Sequence, residues 1–301
     1  MANEGGLLPA QPPPYRLPRD PVGTRPDGER PCGPVRLFWL VLVALRFHLW
    51  RVLQFVVLAM LVSIVYVVVV GITAGLLHKA GRELASYLVT VAAWPVLVPV
   101  LAGVSHALLL VLQKYRPPWY EAVRAFLSLR LYGHVLMAGL PAMALHWGTY
   151  FGLMLAGLDV WIGEMVGRGP WGTWLAGLPP LLLASLVNLP FQFAALDTVT
   201  TFSPFWRSLG RNLRFAGRDP GLLVTYGLFV FAFSAAMRLG ATFARTEGPP
   251  DARLWFALAF FGVLAAGLVG ITVMTLLHPV YYRELVWRER EREASHGGHG
   301  P

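Results

Sequence analysis

The chain has 301 residues, of which 56% are apolar and 14% charged; its net charge is +9 and its mean hydropathy +0.56. A soluble domain carries about 25% charged residues, so this composition excludes an ordinary water-facing enzyme and points to a polytopic membrane protein. Of 25 basic residues 23 are Arg, set in short runs between apolar segments, the pattern of cytoplasmic loops rather than of a nucleic-acid surface. Cys32 is the only cysteine, which excludes an intrachain disulfide and a multi-cysteine metal site.

Residues 1–34 hold nine prolines among scattered Arg, Asp, Glu and Gly. Such a segment buries too little apolar surface to fold, so residues 1–35 read as a disordered cytoplasmic tail, with Cys32 incidental in it. Pro12-Pro13-Pro14-Tyr15 matches the proline-rich ligands of small recognition domains, although a plain solvated tail accounts for it as well. No apolar run of signal-peptide length precedes Leu37.

Six spans follow by apolar length, near 53–77, 84–112, 132–158, 171–201, 221–243 and 254–277. The first apolar stretch runs from Leu37 to Leu77, about twice what the hydrocarbon needs, and is interrupted by Arg46, His48 and Arg51. It reads as an interfacial segment followed by a span. Lys and Arg number nineteen in the N-terminal region, segments 114–131 and 202–219 and the C-terminal tail, against five in the alternate loops. That bias places both termini in the cytoplasm.

A repeat runs through the spans. Before each odd-numbered span stands a proline, aromatic residues and an Arg-bearing amphipathic stretch: Pro34 with Phe38-Trp39, Pro118-Trp119-Tyr120, and Pro204-Phe205-Trp206. Pro279-Val280-Tyr281-Tyr282 begins a fourth copy. The predicted architecture is all-α, with three elbow-plus-hairpin repeats at about 36–113, 118–201 and 204–278 inside a membrane domain over 36–287. A charged tail follows over 288–301. In the third elbow Arg207, Arg211, Arg214 and Arg218 fall on one helical face, with Trp206, Leu209 and Leu213 off it. An in-plane helix facing anionic lipid or a cytoplasmic partner fits this pattern, and so does a plain basic loop. Trp119 and Arg124 hold the matching places in the second elbow. The alternating run Arg288-Glu289-Arg290-Glu291-Arg292-Glu293 reads as a solvated helix end.

Candidate chemistry is sparse. Asp197 is the carboxylate set deepest in a span; it serves either as a structural partner of an elbow Arg or of Thr201, or as a proton or ion relay. Arg238 lies toward the outer end of span five, where it would snorkel to the headgroups. Pro95 and Pro99 interrupt span two, and Pro179, Pro180 and Pro190 span four, as in transporters that bind solute at broken helices. Asn188, Gln192, Ser105 and His106 are the polar groups nearby, and aligning the two spans sets His106 opposite Gln192. These could equally be packing groups. Gly103-Val104-Ser105-His106 is a faint echo of an intramembrane serine-protease site, with His146 the one histidine able to approach. No catalytic residue, metal ligand set or cofactor motif is otherwise legible.

Leu276-Leu277-His278-Pro279-Val280-Tyr281-Tyr282-Arg283-Glu284-Leu285 resembles the closing motif of bacterial six-helix membrane proteins, including the membrane domain found beside some glycerophosphodiester phosphodiesterases. Those proteins end their last helix in a Tyr-Tyr pair and place amphipathic helices before their hairpins. The likeness extends over 37–290. It departs at Arg283-Glu284, where the family often has Asp-x-Arg, and no phosphodiesterase domain is attached. It implies a fold and carries over no catalytic residue.

The sequence therefore predicts a non-enzymatic scaffold or accessory protein of the bacterial inner membrane that engages anionic lipid or a protein partner. A small-solute or ion transporter is the first alternative and an intramembrane hydrolase the second. No cofactor and no nucleic-acid partner is expected.

Overall fold

The computed structural model describes residues 20–26, 29–82, 85, 89, 94–167, 170–244 and 253–297. Among these every regular element is helical. Residues 1–19, with the Pro12–Tyr15 motif, lie outside the described residues, as does the side chain of Arg238.

Helix α1 spans Pro34–Lys79 and breaks its helical geometry at His48 (φ −125°, ψ 15°), within the Arg46–Arg51 interruption. Helix α2 runs Trp94–Leu112, with Pro99 inside it. The 3-10 helix η1 follows at Trp119–Leu127 and leads into α3, Leu129–Leu155, whose N-terminus is capped by the Ser128 hydroxyl. Gly157, at φ +75°, bends the chain by 59° into α4, Leu158–Val166. Only glycine adopts that backbone routinely, so the bend is written at this position.

The segment read as span four is broken into α5 (Pro170–Ala176), α6 (Leu178–Val187), the 3-10 turn η2 (Leu189–Phe191) and α7 (Ala194–Thr201). Pro179 and Pro180 occupy the first turn of α6, where their missing N–H groups cost nothing. Helix α8 covers Phe205–Arg218 and turns by 102° into α9, Pro220–Ala244. Helix α10 runs from Arg253 to Gly297.

Among the described residues two stretches are long and apolar enough to cross a membrane, Pro34–Leu61 and Trp174–Thr201, and up to four are if each bent pair, α3 with α4 and α8 with the first part of α9, counts as one. The first of them overlaps the expected interfacial segment as well as the first expected span. Trp39, Phe47, Trp50, Leu129 and Leu155 are each more than 50% exposed, apolar surface that lipid would cover and water would not tolerate.

The core gathers around the second half of α10. Leu276, Leu277, Val280, Tyr281, Tyr282, Leu285 and Val286 are all essentially inaccessible, packed among α1, α2 and α9. Where lipid replaces water, helices associate through close fit, and small residues mark the contacts. A Cβ at Gly103 of α2 would overlap the Ala122 carbonyl of η1. One at Gly139 of α3 would strike Val98, and one at Gly227 of α9 would strike Leu189.

Two expectations about the chain ends are corrected. From Asp20 onward the N-terminal segment packs on the protein: Val22 and Cys32 are 2% exposed, and the Trp287 indole donates to the Gly23 carbonyl at 2.8 Å. Ion pairs join the buried Val22 and Cys32 side chains in holding this strap. The run from Arg288 is likewise not simply a solvated end, because Glu289 is 2% exposed and Arg288, Arg290 and Arg292 are paired, while Glu293 to Ser295 are exposed.

Candidate functional site

Charged groups converge where α7, α8, η1, the strap and the end of α10 meet. Asp197 lies in the first turn of α7 with its side chain 2% exposed. Its Oδ1 accepts from the Tyr282 hydroxyl at 2.6 Å and from Arg211 Nη1 at 3.0 Å. Arg211 also donates from Nε to Glu289 at 2.7 Å, and Arg214 meets the other Glu289 oxygen at 3.3 Å. Burying a carboxylate demands such pairing. The structural reading of Asp197, an elbow Arg as partner, matches the arrangement; the Thr201 hydroxyl bonds the Asp197 carbonyl instead, at 2.7 Å.

Helix α8 is docked by its small polar face. Ser208, Asn212 and Phe215 are buried, and Asn212 Oδ1 accepts the Phe193 N–H at 3.1 Å. The Arg stripe therefore does not act as one surface. Arg207 and Arg218 are exposed, Arg214 is half-exposed, and Arg211 turns inward to Asp197 and Glu289. Arg211, expected to face lipid with the others, forms an internal bridge between Asp197 and Glu289. Trp206 is 57% exposed and stands edge-on to His134 at 5.8 Å.

In the second elbow Trp119 is 69% exposed. Glu121, Ala122 and Ala125 turn inward. Arg124 Nη1 donates to Glu121 at 2.6 Å while its guanidinium lies 4.4 Å above the Phe202 ring. Phe202 ends α7 with φ +53°, an uncommon conformation for a bulky residue. Burial raises the Glu121 pKa, but His106 and Arg124 outweigh it and hold the carboxyl below its usual value.

The polar groups of the even spans separate into three places. Ser105 and His106 are buried on α2; His106 Nδ1 is 3.4 Å from the Thr200 hydroxyl and Nε2 is 3.6 Å from Glu121. Gln192 instead faces the Tyr226 hydroxyl, which is 2.8 Å from His278 Nδ1. The layer expected to join His106 to Gln192 is therefore two clusters, because the break at η2 rotates Gln192 away from the line that a continuous helix would follow. Asn188, at that break, lies 3.4 Å from His146, so the histidine proposed to approach Ser105 is engaged on α6.

The strap completes the site. Arg290 binds Asp20 through both terminal nitrogens, at 2.5 and 3.1 Å, and donates to Gly23 O at 3.0 Å. Glu284, 1% exposed, accepts from Arg25 at 3.0 Å, from the Cys32 N–H at 2.9 Å and from Arg288 at 2.9 Å. Arg288 and Arg292 also clamp Asp219 at the α8–α9 bend, at 2.7–3.0 Å. The Gln113 carboxamide donates to the Pro21 carbonyl. Burial raises the Asp20 pKa, and the bonds from Arg290 and the Val22 N–H more than reverse it, leaving the carboxyl below its usual value. Burial, aided by Glu284, pushes the Cys32 thiol up.

Between these elements lies a half-open cavity of about 400 Å3. Among the described residues no three His, Cys, Asp or Glu side chains gather as a metal site. Glu121, Tyr282, Glu284 and Glu289 are among the participants that sequence reasoning missed, as are Asp20, Arg25, Asp219 and Arg290. The i, i+4 pair Glu284–Arg288 and the i, i+3 pair Glu121–Arg124 were the available signals, but neither spacing names the partners across the fold. No protein-family model matches the chain, and no curated protein or solved structure is significantly similar to it.

Proposed function

We propose that the chain is a non-enzymatic scaffold or accessory protein of the bacterial inner membrane, with six spans in three elbow-plus-hairpin repeats. Both termini and the elbows face the cytoplasm, where the exposed Arg residues engage anionic lipid. One observation carries this reading. Helix α8 is fixed by its Ser208–Asn212–Phe215 face and presents Arg207, Arg214 and Arg218 beside exposed Trp206 and Leu213. Arg toward anionic headgroups and aromatic residues at headgroup level stabilise a helix lying in the membrane plane. The likeness of the 276–285 motif to the membrane domains beside phosphodiesterases supports the six-span reading and adds no activity.

The test is the lipid retained on mild extraction. Wild type should carry anionic over zwitterionic lipid above the bulk ratio, and the Arg207→Gln, Arg214→Gln, Arg218→Gln triple variant should lose most of that enrichment. Equal enrichment in both would contradict the reading.

The break at Leu189–Phe191 favours a second reading, transport of a small solute past a discontinuous helix. Asp197 is a poor relay for it, since Arg211 and Tyr282 already hold its carboxylate. Solute flux in vesicles that Asp197→Asn abolishes would restore that reading.

A further inference from the structure

We propose that the 400 Å3 cavity between the second elbow, the third elbow and the strap binds the phosphate of one anionic phospholipid headgroup. This deepens the lipid-engaging reading above by naming a single stoichiometric site, distinct from the exposed Arg residues of α8.

Three arginines line the cavity, Arg124, Arg211 and Arg290, each held by a carboxylate. The carboxylates that orient Arg124 and Arg211, namely Glu121, Asp197 and Glu289, stand behind them and do not line it. The planar fork of Arg matches a phosphate's oxygens, and prior fixation reduces what ordering on binding costs. Thr200 and Thr201 line the same space. So does His106, with Nδ1 3.4 Å from the Thr200 hydroxyl and Nε2 turned to Glu121 at 3.6 Å. The volume lies in the range of small-molecule sites.

The surroundings favour a lipid as the source of that phosphate. Phe202 also lines the cavity, is 53% exposed and is fixed under Arg124; Trp206, 57% exposed, follows it on α8. A headgroup inside would leave its acyl chains against these rings, at the level where aromatic residues meet the membrane interface. Among the described residues the one carboxylate lining the cavity is Asp20 of the strap, which already occupies Arg290. An arriving phosphate therefore competes with Asp20, and binding is linked to strap docking.

The experiment is native mass spectrometry of the full chain in mild detergent, titrated with phosphatidylglycerol or with inorganic phosphate. Wild type should show one tightly held phosphatidylglycerol. Arg124→Gln should weaken it at least tenfold, Arg124→Lys by less, and Asp20→Asn should tighten it. An adduct of unchanged affinity in Arg124→Gln and Arg124→Lys overturns the site. Saturable, Arg124-dependent binding of inorganic phosphate with no retained phosphatidylglycerol overturns the lipid assignment and makes free phosphate the ligand. The triple α8 variant separates the two claims: it should lose general anionic enrichment and keep the single adduct. Loss of the adduct in that variant, with Arg124 intact, contradicts a separate cavity site.

Discussion

Arg211 and Arg214 lie one turn apart on α8 and both meet Glu289, yet their surroundings differ sharply. Arg211 joins two carboxylates that are 2–3% exposed, whereas the Arg214 side chain is 53% exposed. Removing Arg211 leaves two buried charges short of a partner, so Arg211→Gln should destabilise by about 3 kcal/mol. Arg214→Gln should cost under about 1 kcal/mol. Thermal melting in detergent compares them, and equal losses would contradict the assigned roles. Asp197→Asn should cost about 2 kcal/mol by weakening two charge-assisted bonds. Combined with Arg211→Gln, its cost should be clearly less than additive, as expected for residues in direct contact.

Cys32 makes a convenient reporter at the same scale, because it is the only cysteine and is buried beneath the strap. Its thiol should react slowly in wild type and faster in Glu284→Gln, which weakens the bonds to Arg25, Arg288 and the Cys32 N–H. The Asp20 pKa is lowered in the folded chain, so its contribution is complete above about pH 4 and is lost as pH falls through the folded value. A pyridyl disulfide, which reacts in acid, should therefore label Cys32 faster below about pH 4, and Asp20→Asn should flatten that step. A rate independent of pH in wild type would contradict strap docking through Asp20.

At the scale of elements, the second elbow depends on a missing side chain. η1 approaches α2 so closely at Gly103 that a Cβ there meets backbone, which cannot yield as a flexible side chain would. Gly103→Ala should destabilise by at least about 2 kcal/mol and displace η1. Gly133→Ala, at a helical glycine with open space, should be neutral or slightly stabilising. Similar melting temperatures for the two variants would refute this packing.

Elements also show what the sequence could and could not convey. Helical character followed from apolar length, the interruption at Arg46–Arg51 marked the break at His48, and Pro204 marked the start of α8. These are local signals, written within one turn of where they act. An elbow Arg was legible as a partner of Asp197, 14 residues away, but Tyr282 was not, since it lies 85 residues away and only the tertiary fold brings it there. The alternating Arg-Glu run misled for a related reason. Alternation of sign is what an exposed helix shows, and equally what a helix shows when strap, elbow and bend each present the opposite charge.

At the scale of the molecule, the charged groups join segments far apart in the chain. The strap, the end of α7, helix α8 and the end of α10 are linked by pairs that involve Asp20, Arg25, Asp197, Arg211, Asp219 and Glu284. Such a network is sustainable where water can reach its rim and costly inside hydrocarbon. It therefore fits the proposed placement of the strap, the second and third elbows and the end of α10 at one membrane face.

That shared face is the central claim, and impermeant-maleimide labelling of single cysteines in a Cys32→Ser chain, in sealed vesicles of known orientation, tests it most directly. Cysteines replacing Arg116, Gly217 and Ser295 should label together from one side. Those replacing Ala80, Glu164 and Arg253 should label together from the other. Labelling of Arg116→Cys or Gly217→Cys from the same side as Glu164→Cys would contradict the six-span account and place the elbows elsewhere.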